Sequence, residues 1–249
     1  MELLSGAKWK PMRGISVSAV YYGYPLGDGY RYPLTLPVSL FTAIFLTENS
    51  KSWVKRVVFP ALDILAGLPS VVYGVWGILV VVPWISDRLA PHFVEYSTGY
   101  STLAAGIVLG IMILPLLISL FVELFSSVPK EYREASLSLG ATRWQTTKYV
   151  LLKKTFPGIV ASVTLAISRA MGETIAVLMV CGNIVQLPDS LFDGCYPLPA
   201  LIANNYGEML SLPLYESALM FAALILFVVV FVFNIASRLI LRKLERNLV

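Results

Sequence analysis

The sequence predicts an all-α protein, a bundle of helices that crosses a membrane several times. Three observations carry that expectation. Of the 249 residues, 57% are hydrophobic and only 14% are charged, against about a quarter charged in an ordinary water-soluble domain. The charges gather in short stretches and leave apolar runs of roughly 20 residues or more, the length a spanning helix needs. The basic residues also crowd onto alternate connections between those runs, the asymmetry that sets orientation in a bilayer.

In chain order, residues 14–46 form the weakest segment. Two short apolar runs are separated by PLGDGYRYP, with Asp28 and Arg31 where the middle of a span would lie. Gly27 and Gly29, flanked by Pro25 and Pro33, disfavour a continuous helix there. The second run, 34–46, reads as an interrupted span ending at the cytoplasmic face. Residues 1–33 are therefore an atypical amino-terminal segment and 34–249 the transmembrane domain. A polar connection with Lys51, Lys55 and Arg56 leads to a span over 57–85, uncharged beyond Asp63, kinked at Pro69 and stopped at Pro83. A loop with Asp87, Arg88, His92 and Glu95 precedes the next span, 101–125, which is bent at Pro115. After a polar elbow at 129–155 come a span over 157–183 and a long loop with Asp189, Asp193 and Glu208. An uncharged span at 217–237 and a basic tail complete the chain.

Thirteen basic residues lie before the first long span, in the elbow and in the tail: Lys51, Lys55, Arg56, Lys130, Arg133, Arg143, Lys148, Lys153, Lys154, Arg238, Arg242, Lys243 and Arg246. The two intervening loops hold only Arg88. The elbow and the carboxyl terminus are therefore expected in the cytoplasm. The elbow itself is built like two short helices. Pro129 opens the first, where its missing N–H costs nothing. Gly140 can turn through a left-handed conformation, and Thr142 with Gln145 has capping-box spacing, so a second helix starts at once.

Arg169 and Glu173 stand in the middle of AISRAMGETIAVLMV, four residues apart and so on one face of a continuous helix. Each charge at mid-bilayer costs ~2.5–3.5 kcal/mol, while a Leu, Ile or Val returns only ~0.3–0.6. The charged face must turn toward protein or water. Ala166, Ala170, Gly172 and Ala176 keep its surroundings small, which suits close packing or a narrow passage. Two readings stay open. The pair is an interior ion pair that fixes how two helices meet, or Arg169 attracts an anion in transit. In the second reading Glu173 holds Arg169 when the path is empty and accepts a hydrogen bond from a protonated oxyanion when it is full.

Other chemistry finds little support. Two cysteines, Cys181 and Cys195, are too few for a disulfide framework, and Cys181 falls inside an apolar run. One histidine, His92, leaves no metal-binding cluster, and no cofactor is implied. No G-x-x-x-x-G-K-[ST] phosphate loop is present, so ATP hydrolysis, if it drives the protein, belongs to another subunit. An intramembrane enzyme lacks paired histidines or a serine-histidine arrangement. The segment MELLSGAKWKPMRG lacks the apolar core of a secretory signal.

Glu134, Ala135 and Ser136, followed after three residues by Gly140, resemble the coupling motif of ABC importer permeases, the element that docks into the ATPase subunit. Four longer phrases make the resemblance specific: LPSVVYGVWGILVVVP (68–83), REASLSLGATRW (133–144), SRAMGETIAVLMVCGN (168–183) and SLFDGCYPLPALIANNYGEM (190–209). With them the chain resembles the PstC-type permeases of phosphate ABC importers. The resemblance implies a type I (MetI-like) permease fold in the cytoplasmic (inner) membrane. It also implies a heterodimer with a homologous second permease, a dimer of ATPase subunits and an extracytoplasmic phosphate-binding protein. Phosphate and membrane lipid are the remaining partners, with no nucleic acid.

Carried over by position, Glu134, Ala135 and Gly140 match the coupling motif, and Arg169 and Glu173 the intramembrane charged pair. Ser70 and Tyr73, just past Pro69, line the same passage or pack helices. Two other functions are alternatives: a permease for molybdate or sulfate, and a noncatalytic assembly or regulatory subunit. Three departures stand out. Leu152-Lys153 replaces the usual Leu-Pro, and the chain begins after the family's first span. Residues 24–32 replace an apolar run, so the amino-terminal part reads as truncated or disturbed.

Overall fold

The computed structural model describes residues 9–10, 14–15, 32–185, 188, 190–207 and 213–246. Asp28, Arg31, Asp189 and Glu208, and the expectation about 24–31, lie outside the described residues. Near the amino terminus, β1 (Trp9–Lys10) and β2 (Gly14–Ile15) pair as a two-stranded antiparallel ribbon. Among the described residues, the other elements are helices. The run expected at 34–46 is α1 (Tyr32–Ile44), which continues through a wide π-type turn at Phe45–Asn49 with Pro37 inside it.

The span expected over 57–85 is two helices, α2 (Ser52–Gly67) and α3 (Ser70–His92). Gly67, Leu68 and Pro69 do more than kink the chain. A residue before proline is pushed out of the helical region, and Pro69 itself sits extended at ψ 140 as the residue that opens α3. Pro83, in contrast, stops nothing. The turn before it is already widened, with the Val82 N–H bonded to Gly77 O five residues back, and the helix runs on to His92.

α4 (Thr102–Ser126) carries Pro115 inside it, as expected. Its first N–H groups would be orphans in an isolated helix. Here the Thr102 N–H donates to Asp193 O at 2.8 Å and the Leu103 N–H to Leu191 O at 2.9 Å, while Ser101 Oγ accepts from the Ala104 N–H at 3.1 Å. α5 (Lys130–Ser138) and α6 (Arg143–Met171) form the elbow and the next span. That span begins at Arg143 rather than at Pro157, because nothing between Thr142 and Pro157 breaks a helix once the cap has started it. Leu152-Lys153 lies within this continuous helix.

α7 (Ile175–Val180) follows a break, α8 (Leu198–Asn205) stands unexpectedly within the long loop, and α9 (Pro213–Arg246) carries the last span on through the tail. Among the described residues, four helices are long and apolar enough to cross a membrane: Ser70–His92, Thr102–Ser126, Arg143–Met171 and Tyr215–Leu239. In the most apolar stretch of each, 56% of residues are buried in α4 but only 17% in α9. α4 is thus an interior helix, whereas Leu224, Phe227, Phe231 and Ile235 leave α9 an apolar face for lipid or another chain.

The chain divides into two compact units. One gathers Met1–Pro33, Leu68–Met112 and Ala170–Phe231, the other Leu34–Gly67, Ile113–Arg169 and Val232–Val249. In the first, Tyr196, Leu198, Ala200 and Leu201 pack with Leu219 and Ala222 of α9. Gly74 and Gly77 let α3 approach α7 closely: a Cβ at Gly77 would lie 2.8 Å from both Val108 Cγ2 and Val180 Cγ1. In the second, Leu46, Leu62 and Ile118 form a core joined by Val54, Val58, Phe59, Leu114 and Val122.

Gly77→Leu should therefore lower stability by about 1–3 kcal/mol through overpacking. Gly67→Ala, where an added Cβ meets nothing within 4 Å, should leave it nearly unchanged. Thermal unfolding in detergent compares the two variants.

Candidate functional site

Two features carry the candidate functional side chains, the elbow and the break after α6. At the elbow, α5 starts directly after Pro129, which is extended at ψ 142. It ends in a Schellman motif: the Gly140 N–H donates to Leu137 O at 3.0 Å and the Ala141 N–H to Ser136 O at 3.3 Å, with Gly140 at φ +86. Only glycine holds that backbone without strain, and no atom stands within 4 Å of where its Cβ would be. Thr142 then caps α6 in the expected capping box. The Gln145 N–H donates to Thr142 Oγ1 at 3.3 Å, and the Thr142 N–H donates to Gln145 Oε1 at 2.8 Å. A 2.9 Å hydrogen bond between Ser136 Oγ and Thr146 Oγ1 ties the two arms together.

Sequence reasoning counted Arg133 only as a topological charge, and it does more. Its Nε pairs with Glu48 Oε1 at 3.1 Å, Nη1 donates to Val128 O at 2.8 Å, and Nη2 donates to Phe125 O at 2.7 Å. The guanidinium thereby satisfies carbonyls at the end of α4 and anchors α5 to the helix that ends with Glu48 and Asn49. Arg133 and Glu48 are 85 positions apart, and no local pattern in the sequence joins them. The motif residues themselves face outward. Glu134, Ala135 and Gly140 are exposed, as are Leu137, Trp144 and Tyr149, and Leu139 is 88% exposed.

At the second feature the expected continuous helix is broken, which corrects the reading of Arg169 and Glu173 as one helical face. α6 ends at Met171, Gly172 to Thr174 are non-helical, and α7 begins at Ile175. Gly172 weakens the helix, and two side chains compete for its backbone. Glu173 Oε1 accepts the Ala176 N–H at 3.2 Å, and Thr174 Oγ1 donates to Gly172 O at 3.3 Å. Arg169 lies exposed on the last turn of α6. Next to it, Ser168 Oγ donates to Asn234 Oδ1 on α9 at 3.1 Å.

Glu173 and Ser70 are related through the packing of α3 on α7. Gly74 faces Ala176 and Met179, and Gly77 faces Val180, so the two helices run in the same direction. Ser70, one turn before Gly74, and Glu173, just before α7, therefore lie at the same end of the pair. Both are half-buried, whereas Tyr73 is buried as a packing residue. Among the described residues no group of three or more His, Cys, Asp or Glu could hold a metal ion.

The sequence model of the family "Binding-protein-dependent transport system inner membrane component" matches residues 36–247. The phosphate transport system permease protein PstC of Xylella fastidiosa (strain 9a5c) is 37% identical over 228 residues, covering 86% of this chain and 70% of that one. The probable phosphate transport system permease protein PstC of Methanocaldococcus jannaschii is 37% identical over 221 residues, covering 84% and 70%. Among solved structures, an inward-facing form of the MetNI methionine ABC transporter superposes with a TM-score of 0.64 at 19% identity, over 92% of this chain and 95% of that one. A bacterial alginate ABC transporter bound to its periplasmic protein gives 0.62 at 13% identity, over 90% and 79%. At those identities the structural likeness concerns the fold. By its sequence, the chain belongs to the family of binding-protein-dependent transport system inner membrane components.

Proposed function

We propose that this chain is the transmembrane permease subunit of an ATP-driven importer and forms, with a homologous second permease, the passage for inorganic phosphate across the cytoplasmic membrane. The observation that carries the reading is the elbow. It is built by two interlocked caps, yet its motif residues Glu134, Ala135 and Gly140 and the apolar Leu137, Leu139 and Trp144 are exposed rather than buried in this chain's own core. Such a surface suits a groove on a separate ATPase subunit, two copies of which would serve the permease pair. The phosphate transport relatives at 37% identity support the choice of cargo. An extracytoplasmic phosphate-binding protein would deliver it.

In this reading the elbow and the carboxyl terminus face the cytoplasm, on the side marked by the basic residues. Arg169, exposed at the end of α6, attracts the anion electrostatically. Glu173 presents a carboxylate, an acceptor-only group, to the proton that a hydrogen phosphate carries and sulfate lacks. One of its oxygens takes the Ala176 N–H, which fixes the side chain for that role. Ser70, at the same end of the α3–α7 pair, adds a hydroxyl to the path. Residues 1–33 are an atypical amino-terminal segment and 34–249 the permease domain.

The test is phosphate-dependent ATP turnover and uptake by the reconstituted complex with its binding protein. Arg169→Leu should abolish uptake, and Glu173→Gln should let sulfate compete with phosphate. Stimulation by molybdate or sulfate but not phosphate would transfer the assignment to another oxyanion, and unchanged uptake with Arg169→Leu would remove Arg169 from the path.

Gly140→Val forces a left-handed backbone on a β-branched residue at a cost of about 1–2 kcal/mol. It should cut stimulated ATP turnover about tenfold or more while the complex still assembles. Arg133→Ala, which loses three charge-assisted hydrogen bonds, should destabilise the chain by about 2 kcal/mol or more in thermal unfolding. Leu139→Cys, placed in a Cys181→Ser/Cys195→Ser chain, should react with a membrane-impermeant maleimide in inverted vesicles and not in intact cells.

A further inference from the structure

Cys181 closes α7, and Cys195 lies in the segment that leads into α8. The backbone pins them together. The Cys195 N–H donates to Cys181 O at 2.8 Å, and Gly182 pairs with Cys195 as a parallel bridge. The approach depends on glycines: a Cβ at Gly182, which is at φ +84, would lie 3.3 Å from Gly194 Cα, and one at Gly194 would lie 3.3 Å from Cys181 O. Both thiols are buried, at 0% and 3% exposure, and Cys181 Sγ donates to Asn183 Oδ1 at 3.1 Å.

This geometry meets the demand of a covalent bridge. Disulfides hold their Cα atoms roughly 4.4–6.8 Å apart. A Cα lies about 2.4 Å from its carbonyl oxygen and about 1.5 Å from its nitrogen. The 2.8 Å hydrogen bond between Cys181 O and Cys195 N therefore keeps the two Cα atoms within about 6.7 Å of each other.

We propose that Cys181 and Cys195 form a disulfide in the mature protein, made on the extracytoplasmic side of the membrane. The proposal rests on the orientation given above, which places the segment between α7 and α9 in the compartment where disulfides form and persist. The reaction is thiol–disulfide exchange with a disulfide-bearing oxidant of that compartment. The thiolate of one cysteine attacks the oxidant's disulfide to give a mixed disulfide, and the thiolate of the other displaces the oxidant. The oxidant leaves as a dithiol with the two electrons and the two protons, and one S–S bond remains in the chain. Because both sulfurs are covered once the segment has packed, the exchange takes place while it folds. The bond then locks the stretch whose Leu191 and Asp193 carbonyls cap α4.

Membranes from aerated cells, quenched in acid and denatured, should take up no polymer-linked maleimide before reduction and two per chain after it. The Cys181→Ser chain should take up one per chain without reductant. In detergent, reductant should lower the thermal midpoint of the wild type and leave that of the Cys181→Ser/Cys195→Ser chain unmoved. Two modified thiols per chain before reduction overturn the disulfide. If Leu139→Cys is meanwhile shielded in intact cells, the orientation stands and the disulfide alone has failed. Labelling of Leu139→Cys from outside the cell would sink the orientation itself.

Discussion

Hydrocarbon offers no hydrogen bonds, and the rest of this structure depends on that constraint. A helix that stops or widens within a membrane must find partners for the backbone groups it releases, and here several interruptions supply their own. The widened turns in α3 and α6 re-pair their N–H groups five residues back. The start of α4 borrows carbonyls from the segment ahead of α8. The break after α6 is closed by the carboxylate of Glu173 and the hydroxyl of Thr174. Among the described residues no buried side-chain nitrogen or oxygen lacks a partner. Irregular backbone is tolerated only where it is paid for locally, and this confines it to a few places.

Those places coincide with the side chains proposed to function. An uninterrupted helix through 157–183 would have placed Glu173 as a free carboxylate on a helical face. The break instead gives one of its oxygens a structural duty and aims the rest of the group. At the elbow the same economy appears in another form. The caps around Gly140 and Thr142 satisfy the ends of α5 and α6 without help from a partner, so the turn keeps its shape while its apolar residues stay uncovered. Arg133 adds a fixed attachment to the end of α4. If this surface meets the proposed ATPase subunit, its fixed shape leaves little conformational entropy to lose on docking.

Local chemistry made the elbow legible in the sequence. Pro129, Gly140 and the Thr142 to Gln145 spacing each act within a few residues, and each appears in the structure where its spacing placed it. The class of fold was legible for a similar reason, since composition and the grouping of charge act along the chain. Long-range facts were not legible. The pairing of Arg133 with Glu48 and the juxtaposition of Cys181 with Cys195 are made by folding and leave no periodic trace. Helix limits lay between these cases. Proline was a poor guide to them: Pro69 opened a helix, whereas Pro83, Pro115 and Pro157 were absorbed inside one. Hydropathy, in turn, gave no sign of the break at Gly172, because apolar residues continue on both sides of it.

The length of α6 carries a geometric consequence. Its 29 residues at about 1.5 Å each make a rod of about 43 Å, while the hydrocarbon layer is about 30 Å thick. Roughly a third of the rod must stand clear of the lipid tails or lean within them. Lys148, Lys153 and Lys154 lie exposed on its first half, Lys148 over the Tyr149 ring and Lys154 over the Tyr132 ring, so the basic charge of this helix gathers toward its capped end. One continuous helix thus joins the capped end at Thr142 to the break at Gly172, so the elbow and the break are the two ends of a single element.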